Sequence, residues 1–167
     1  MAAHIYPAET AENAVRAGVD SVEHGSFATA QTFALMKAHG TYLVPTLTVY
    51  EVFYAVARDH PELLTPGTAP KELANDLYPK RNLPLAVKSG VKIAYGTDLG
   101  QGDHTMEFGL LIGNGMTPIQ ALYAATRNAA VPIRSAAPIR SAAMRTWWQP
   151  RATRSTTRSS SSRSASS

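Results

Sequence analysis

The stretch Ala11-Glu-Asn-Ala-Val-Arg-Ala-Gly-Val-Asp-Ser-Val-Glu-His-Gly25 decides the fold class. Ala11 to Ala17 carries helix-favouring residues and stops at Gly18, which suits a helix C-terminus; Val19 to His24 then reads as a strand halted by Gly25. The pattern recurs after about 22 residues, close to one βα unit. Thr29 is an N-cap candidate for a helix to His39, Gly40 terminates it, and Thr41-Tyr-Leu-Val44 is a short apolar strand before Pro45. Further on, a Pro-punctuated stretch from Thr48 to Pro70 predicts helix in pieces, and Lys71 to Ser89 is mostly helical. Val91 to Tyr95 is the last clear strand. Helices are predicted from Thr105 to Ile112 and from Pro118, with Thr117 as N-cap, to Ala130. Strands alternating with helices imply parallel βαβ units.

Length and composition bound what that pattern can build. The chain has 167 residues, whereas a single-chain (β/α)₈ barrel needs roughly 250. Hydrophobic residues make up 44%, enough for a core, so the body reads as globular rather than disordered. With no cysteine, disulfides, thiolate zinc sites, iron–sulfur ligation and a cysteine nucleophile are all excluded. Metal chemistry would have to use His and carboxylates. The sequence holds no apolar run long enough for a membrane span and no signal-peptide pattern at Met1, which places the protein in the cytoplasm by default and gives it no membrane partner.

Charge divides the chain in two. Residues 131–167 hold seven Arg and no acid, a net +7, whereas residues 1–130 net −3. The overall +4 therefore belongs to the tail and gives no reason for a nucleic-acid groove in the body. The tail is low in complexity: Pro132-Ile-Arg-Ser-Ala-Ala137 is repeated at once as 138–143, and a Ser/Arg run follows. It reads as a disordered Arg/Ser/Ala-rich segment. Binding to RNA is one reading of it. The other is a sequence never selected as structure, which the lack of aromatics within the Ser/Arg run favours.

In parallel α/β architectures functional groups collect where strands end, because those ends open on one face. His4, His24 and Asp98 fall at such positions, in Met-Ala-Ala-His4, Ser21-Val-Glu-His24 and Ile93-Ala-Tyr-Gly-Thr-Asp98. Two imidazoles and a carboxylate on one face suit Zn²⁺ or a similar divalent ion, which brings the pKa of bound water toward neutrality. The carboxylate could also act as general base. Other residues have plainer readings. His39 sits favourably at a helix C-terminus and His60 in a loop. Glu23 points to the opposite strand face from His24, toward the helix layer; Asp103 and Glu107 supply favourable charge at a helix start; Ser26 lies in no nucleophile motif.

Taken together, Ala14 to Gly25, Val44-Pro-Thr46, Val91 to Asp98, Gly115-Met-Thr-Pro-Ile-Gln-Ala-Leu122 and Ala125-Thr-Arg-Asn-Ala-Ala130 resemble the C-terminal half of the metal-dependent amidohydrolase superfamily, in its imidazolonepropionase-like and Xaa-Pro dipeptidase branch. The resemblance covers residues 1–130. It implies a partial (β/α)₈ barrel, about strands five to eight with their helices, followed by the tail of 131–167. It also implies that His4, His24 and Asp98 are metal ligands, with Asp98 as proton shuttle, and that His104 faces substrate, although Gln101-Gly-Asp-His-Thr departs from the family's local order. The implied reaction is hydrolysis of amide or peptide C–N bonds by metal-activated water, with Xaa-Pro dipeptides or acyl-amino acids as substrates.

Departures from the family are equally informative. Its members carry a His-x-His motif after strand one and a bridging lysine after strand four, and this chain has neither. Two readings therefore stand for the isolated chain, a metal-dependent hydrolase and a catalytically inactive truncated piece. A four-strand remnant would also expose unpaired sheet edges, inviting self-association, and would bind its metal more weakly than a full site.

Overall fold

Four short strands form one all-parallel sheet in the order β1-β2-β3-β4. The computed structural model describes residues 1–75 and 77–131. Residues 132–167 lie outside the described residues, and with them the readings of a disordered or RNA-binding tail.

The strands are β1 (Ala2–Ile5), β2 (Ser21–His24), β3 (Tyr42–Val44) and β4 (Lys92–Ile93). Between them run α1 (Ala8–Arg16) and α2 (Ala30–His39), then a longer excursion of α3 (Leu47–Asp59), a 3₁₀ turn (Pro61–Leu63), α4 (Thr68–Asn75) and α5 (Leu77–Ser89). After β4 come α6 (Met106–Gly113), α7 (Pro118–Tyr123) and a π-helical turn (Ala124–Asn128). The expected succession of βα units is therefore present, with β1 and β4 at the two edges of the sheet.

Local chemistry explains most boundaries. Thr29 caps α2 through a reciprocal pair with Thr32, and Thr117 caps α7 through one with Gln120, as their positions in the sequence predict. Gly40 ends α2 at φ 73°, a left-handed conformation open to glycine at little cost. Strands β2 and β3 begin at Ser21 and Tyr42, later than Val19 and Thr41, and three further boundaries differ from expectation. Helix α1 begins at Ala8 rather than Ala11, because Pro7 holds the extended N-cap conformation before it. Strand β4 is shorter than Val91 to Tyr95: the Tyr95 N–H donates to the Ala124 carbonyl rather than to a neighbouring strand. The last helix changes to a π turn at Ala124, where Asn128 Nδ2 donates to the Ile93 carbonyl at 2.8 Å and ties the turn to β4.

One face of the sheet packs against the helices. Ile5, Val22, Leu43 and Ile93 meet Val15, Phe33, Met36, Leu83 and Leu111, all buried. Register places His4 beside Glu23 and Glu23 beside Val44, so the opposite face carries His4, Ser21, Glu23, Tyr42 and Val44. Tyr42, Val44 and Ala94 form a second, smaller apolar cluster. Among the described residues no helix is long and apolar enough to cross a membrane.

Candidate functional site

The C-terminal ends of the four strands converge on a cavity of about 150 Å³ lined by His4, Glu23, His24, Val44, Thr46, Gly96 and Asp98. A larger cavity of about 490 Å³ lies against β4, between Lys92, Met116 and Arg127, but holds none of the candidate residues. Convergence of titratable groups, rather than volume, marks the site.

His24 is the centre of the arrangement. Its Nε2 lies 2.9 Å from His4 Nδ1 and 3.8 Å from Asp98 Oδ2, and its Nδ1 lies 2.7 Å from Thr46 Oγ1. The ring is buried, and Tyr6 stacks on it at 5.0 Å between centroids. Burial first, and the neighbouring His4 second, hold its pKa below the ordinary histidine value, while Asp98 opposes them. The neutral imidazole, the form that ligates metals, is thereby favoured. Asp98 is the open side of the site, its side chain 56% exposed.

Backbone strain is concentrated here. Among the described residues three non-glycine residues have positive φ, namely His24 at 69°, Thr46 at 50° and Asp98 at 54°, and all three line this cavity. Such conformations persist only where the surroundings enforce them, and they cluster at functional sites. Packing is tight as well: a Cβ on Gly96 would lie 2.6 Å from Val44 Cγ1, so only glycine lets the β4 loop pass so close to β3.

His4, His24 and Asp98 are thus brought together as expected. His104 is not. It is exposed on the loop after β4, its Nδ1 2.7 Å from Thr97 Oγ1, and it lines neither this cavity nor its neighbour. Glu23 differs from its sequence reading. Strand alternation does separate it from His24, but the left-handed conformation of His24 swings that ring back over the end of the strand, so both side chains share the cavity. Burial pushes the Glu23 carboxyl up, while a 2.6 Å bond from Ser21 Oγ pulls it down. Glu107 lies in the first turn of α6 as expected, but its carboxylate serves another helix. It is fully buried and accepts hydrogen bonds from Leu47 N at 3.0 Å, Thr48 N at 2.7 Å and Thr48 Oγ1 at 2.6 Å, and burial raises its pKa.

Thr46, Tyr6 and Tyr50 are residues that sequence reasoning missed. Thr46 lies two residues past the end of β3, after Pro45, so its place at a strand end was the available signal. Tyr6 and Tyr50 line a second cavity of about 240 Å³ with Val49, Phe53, Glu72 and Asp98, and the shared Asp98 makes it the neighbour of the first. The Tyr50 hydroxyl bonds to Ser26 Oγ, which gives Ser26 a structural partner, and burial pushes the Tyr50 pKa far up.

Among the described residues no three His, Asp or Glu side chains form a ready-made metal cluster. His4, His24 and Asp98 nevertheless supply donor types that divalent ions take, two imidazoles and a carboxylate. Zinc bonds of about 2.0–2.1 Å in a tetrahedron put neighbouring donor atoms roughly 3.3 Å apart. The observed 2.9 and 3.8 Å fall on either side of that separation.

Comparison with known proteins gives concordant results. A sequence model described as the Amidohydrolase family matches residues 1–132. Ochratoxinase from Aspergillus niger is 34% identical over 142 residues, covering 83% of this chain and 29% of that protein. A crystal structure of a Xaa-Pro dipeptidase with methionine bound in its active site superposes with a TM-score of 0.74 at 34% identity, over 80% of this chain and 33% of that one. A prolidase complexed with N-methylphosphonate-L-proline gives 0.69 at 29% identity, over 80% and 33%. The chain spans about a third of the length of the relatives it matches.

Proposed function

Because the chain belongs to the amidohydrolase family, by the match over residues 1–132, we propose that its strand ends carry part of a divalent-metal centre for hydrolysis of amide or peptide C–N bonds. The observation that carries this reading is the convergence of His4, His24 and Asp98 on one cavity, with His24 and Asp98 both held in left-handed backbone conformations.

The geometry supports the following roles. His4 Nδ1, His24 Nε2 and Asp98 Oδ2 would hold the ion, with zinc the best match to two imidazoles and a carboxylate. A bound ion supplies polarisation of the scissile carbonyl and a water of lowered pKa. The exposed Asp98 carboxylate takes the proton from the attacking water and gives it to the leaving amine nitrogen, so that acid and amine products separate with the carboxylate restored. Tyr6, stacked on His24, limits rotation of that ring. The adjoining cavity, walled by Val49, Tyr50 and Phe53, takes an apolar side chain of the substrate within reach of Asp98. Xaa-Pro dipeptides and acyl-amino acids fit this description, with the neighbouring dipeptidase and prolidase in support. His104, close to Asp98 in sequence but bonded to Thr97, would join the substrate only by leaving that partner.

A second reading has its own observation. The chain spans about a third of the matched relatives, so the site can retain ligands without completing a reaction cycle. A single assay separates the two: the zinc-loaded chain and its Asp98→Asn variant are incubated with a panel of Xaa-Pro dipeptides, and free amino acid is measured. Release by the unsubstituted chain alone supports hydrolysis. Metal binding with no release from either supports the inactive piece, and equal release from both refutes the role given to Asp98.

A further inference from the structure

Thr46 occupies the N-cap position of α3, where a threonine hydroxyl ordinarily accepts a backbone N–H from its own helix. Here it makes no such bond. The Leu47 and Thr48 N–H groups at the start of that helix donate instead to Glu107, which reaches them from α6. Relieved of capping, the buried Thr46 hydroxyl lies 2.7 Å from His24 Nδ1. The backbone conformation that allows this is one that β-branched residues avoid, with φ 50° and ψ 46°. Glu107, through the two residues that follow Thr46, holds it in place.

We propose that Thr46 is a positioning residue for His24, its hydroxyl accepting the Nδ1 proton so that the Nε2 lone pair faces His4 and Asp98, and that Glu107 makes this possible by capping α3 in its stead. The inference rests on the reading of His24 as a metal ligand and assigns what orients it. A ligating imidazole commonly donates its other ring N–H to a neighbouring group, which fixes both tautomer and orientation. Among the described residues Thr46 is the partner at Nδ1, and the opposite ring nitrogen faces the carboxylate and the second imidazole.

The experiment combines ring-nitrogen NMR of the full chain at pH 7.5, without metal, with Zn²⁺ affinity from chelator competition and with thermal unfolding. The unsubstituted protein, Thr46→Ser, Thr46→Val and Glu107→Gln are compared. The proton is expected on Nδ1 of His24 in the unsubstituted protein and in Thr46→Ser, whose Zn²⁺ affinity stays within roughly threefold. Thr46→Val should populate both tautomers and bind Zn²⁺ about 10- to 100-fold more weakly while still unfolding cooperatively. Glu107→Gln should shift the tautomer in the same direction. A His24 proton on Nε2 in the unsubstituted protein overturns the proposal, and so does a Thr46→Val variant with unchanged tautomer and unchanged affinity. If the unsubstituted protein binds no Zn²⁺ but Thr46→Val still loses the Nδ1 tautomer, the metal reading fails and the positioning role stands.

Discussion

Replacing Glu107 by alanine probes how the excursion after β3 is fastened to the rest of the fold. The carboxylate is fully buried and accepts from three donors, Leu47 N, Thr48 N and Thr48 Oγ1, on two residues that are themselves almost wholly buried. Truncation leaves all three donors without a partner, and each buried unsatisfied group costs about 1–3 kcal/mol. Two effects offset part of that loss. The native carboxylate bears its own desolvation cost, as its raised pKa indicates, and water entering the vacated space can satisfy some donors. A net destabilisation of about 3 kcal/mol follows, at the upper end of a lost N-cap with one further bond added. Glu107→Gln keeps one acceptor oxygen but turns an amide N–H toward a donor, so about 2 kcal/mol is expected. Urea unfolding followed by circular dichroism measures both, with the midpoint shifting and the slope unchanged. A loss below about 1 kcal/mol in Glu107→Ala would show that the three short contacts hold nothing together, and the account of α3 and of Thr46 would fall with them.

Three further outcomes are expected. Since burial raises the folded-state pKa of Glu107 above its ordinary value of 4.5, the native state holds its proton more tightly than the unfolded chain, so this residue's contribution to stability declines as pH rises from 4.5 through that raised value. Unfolding midpoints across pH 4 to 7 should show that decline and its loss in Glu107→Gln; an identical profile in both proteins would refute it. Gly96→Ala forces a methyl group against Val44 and should destabilise by about 1–3 kcal/mol, with partial recovery when Val44→Ala is added; a thermal scan in which the second substitution brings no recovery contradicts the packing argument. The sheet has β1 and β4 as its edges, and sedimentation velocity should reveal mass rising with concentration; a constant monomer mass up to about 100 µM would count against edge pairing.

The fold was legible in the sequence wherever local chemistry decided it. Gly18, Gly40, Thr29 and Thr117 mark helix ends by their own backbone and capping preferences, and those ends lie where the residues indicate. Short-range rules lose their hold where a distant group competes for the same backbone. The length of β4 depends on Ala124, and the cap of α3 depends on a carboxylate some 60 residues away. The site divides along the same line. His4, His24 and Asp98 could be found because strand ends in parallel sheets share a face, whereas Glu23 was sent to the wrong layer by a rule of alternation that the left-handed backbone of His24 suspends. No propensity suggests a left-handed Thr46, since the residue is there against its intrinsic preference.

The central claim is that His4, His24 and Asp98 form one metal-binding centre. Zinc stoichiometry by mass spectrometry on size-separated, folded protein tests it most directly, with the unsubstituted chain beside His24→Ala and Asp98→Ala. The account predicts close to one zinc per chain in the unsubstituted protein and a severe loss in both variants, with folding retained. Folded protein without zinc, or zinc content equal in all three, would contradict it.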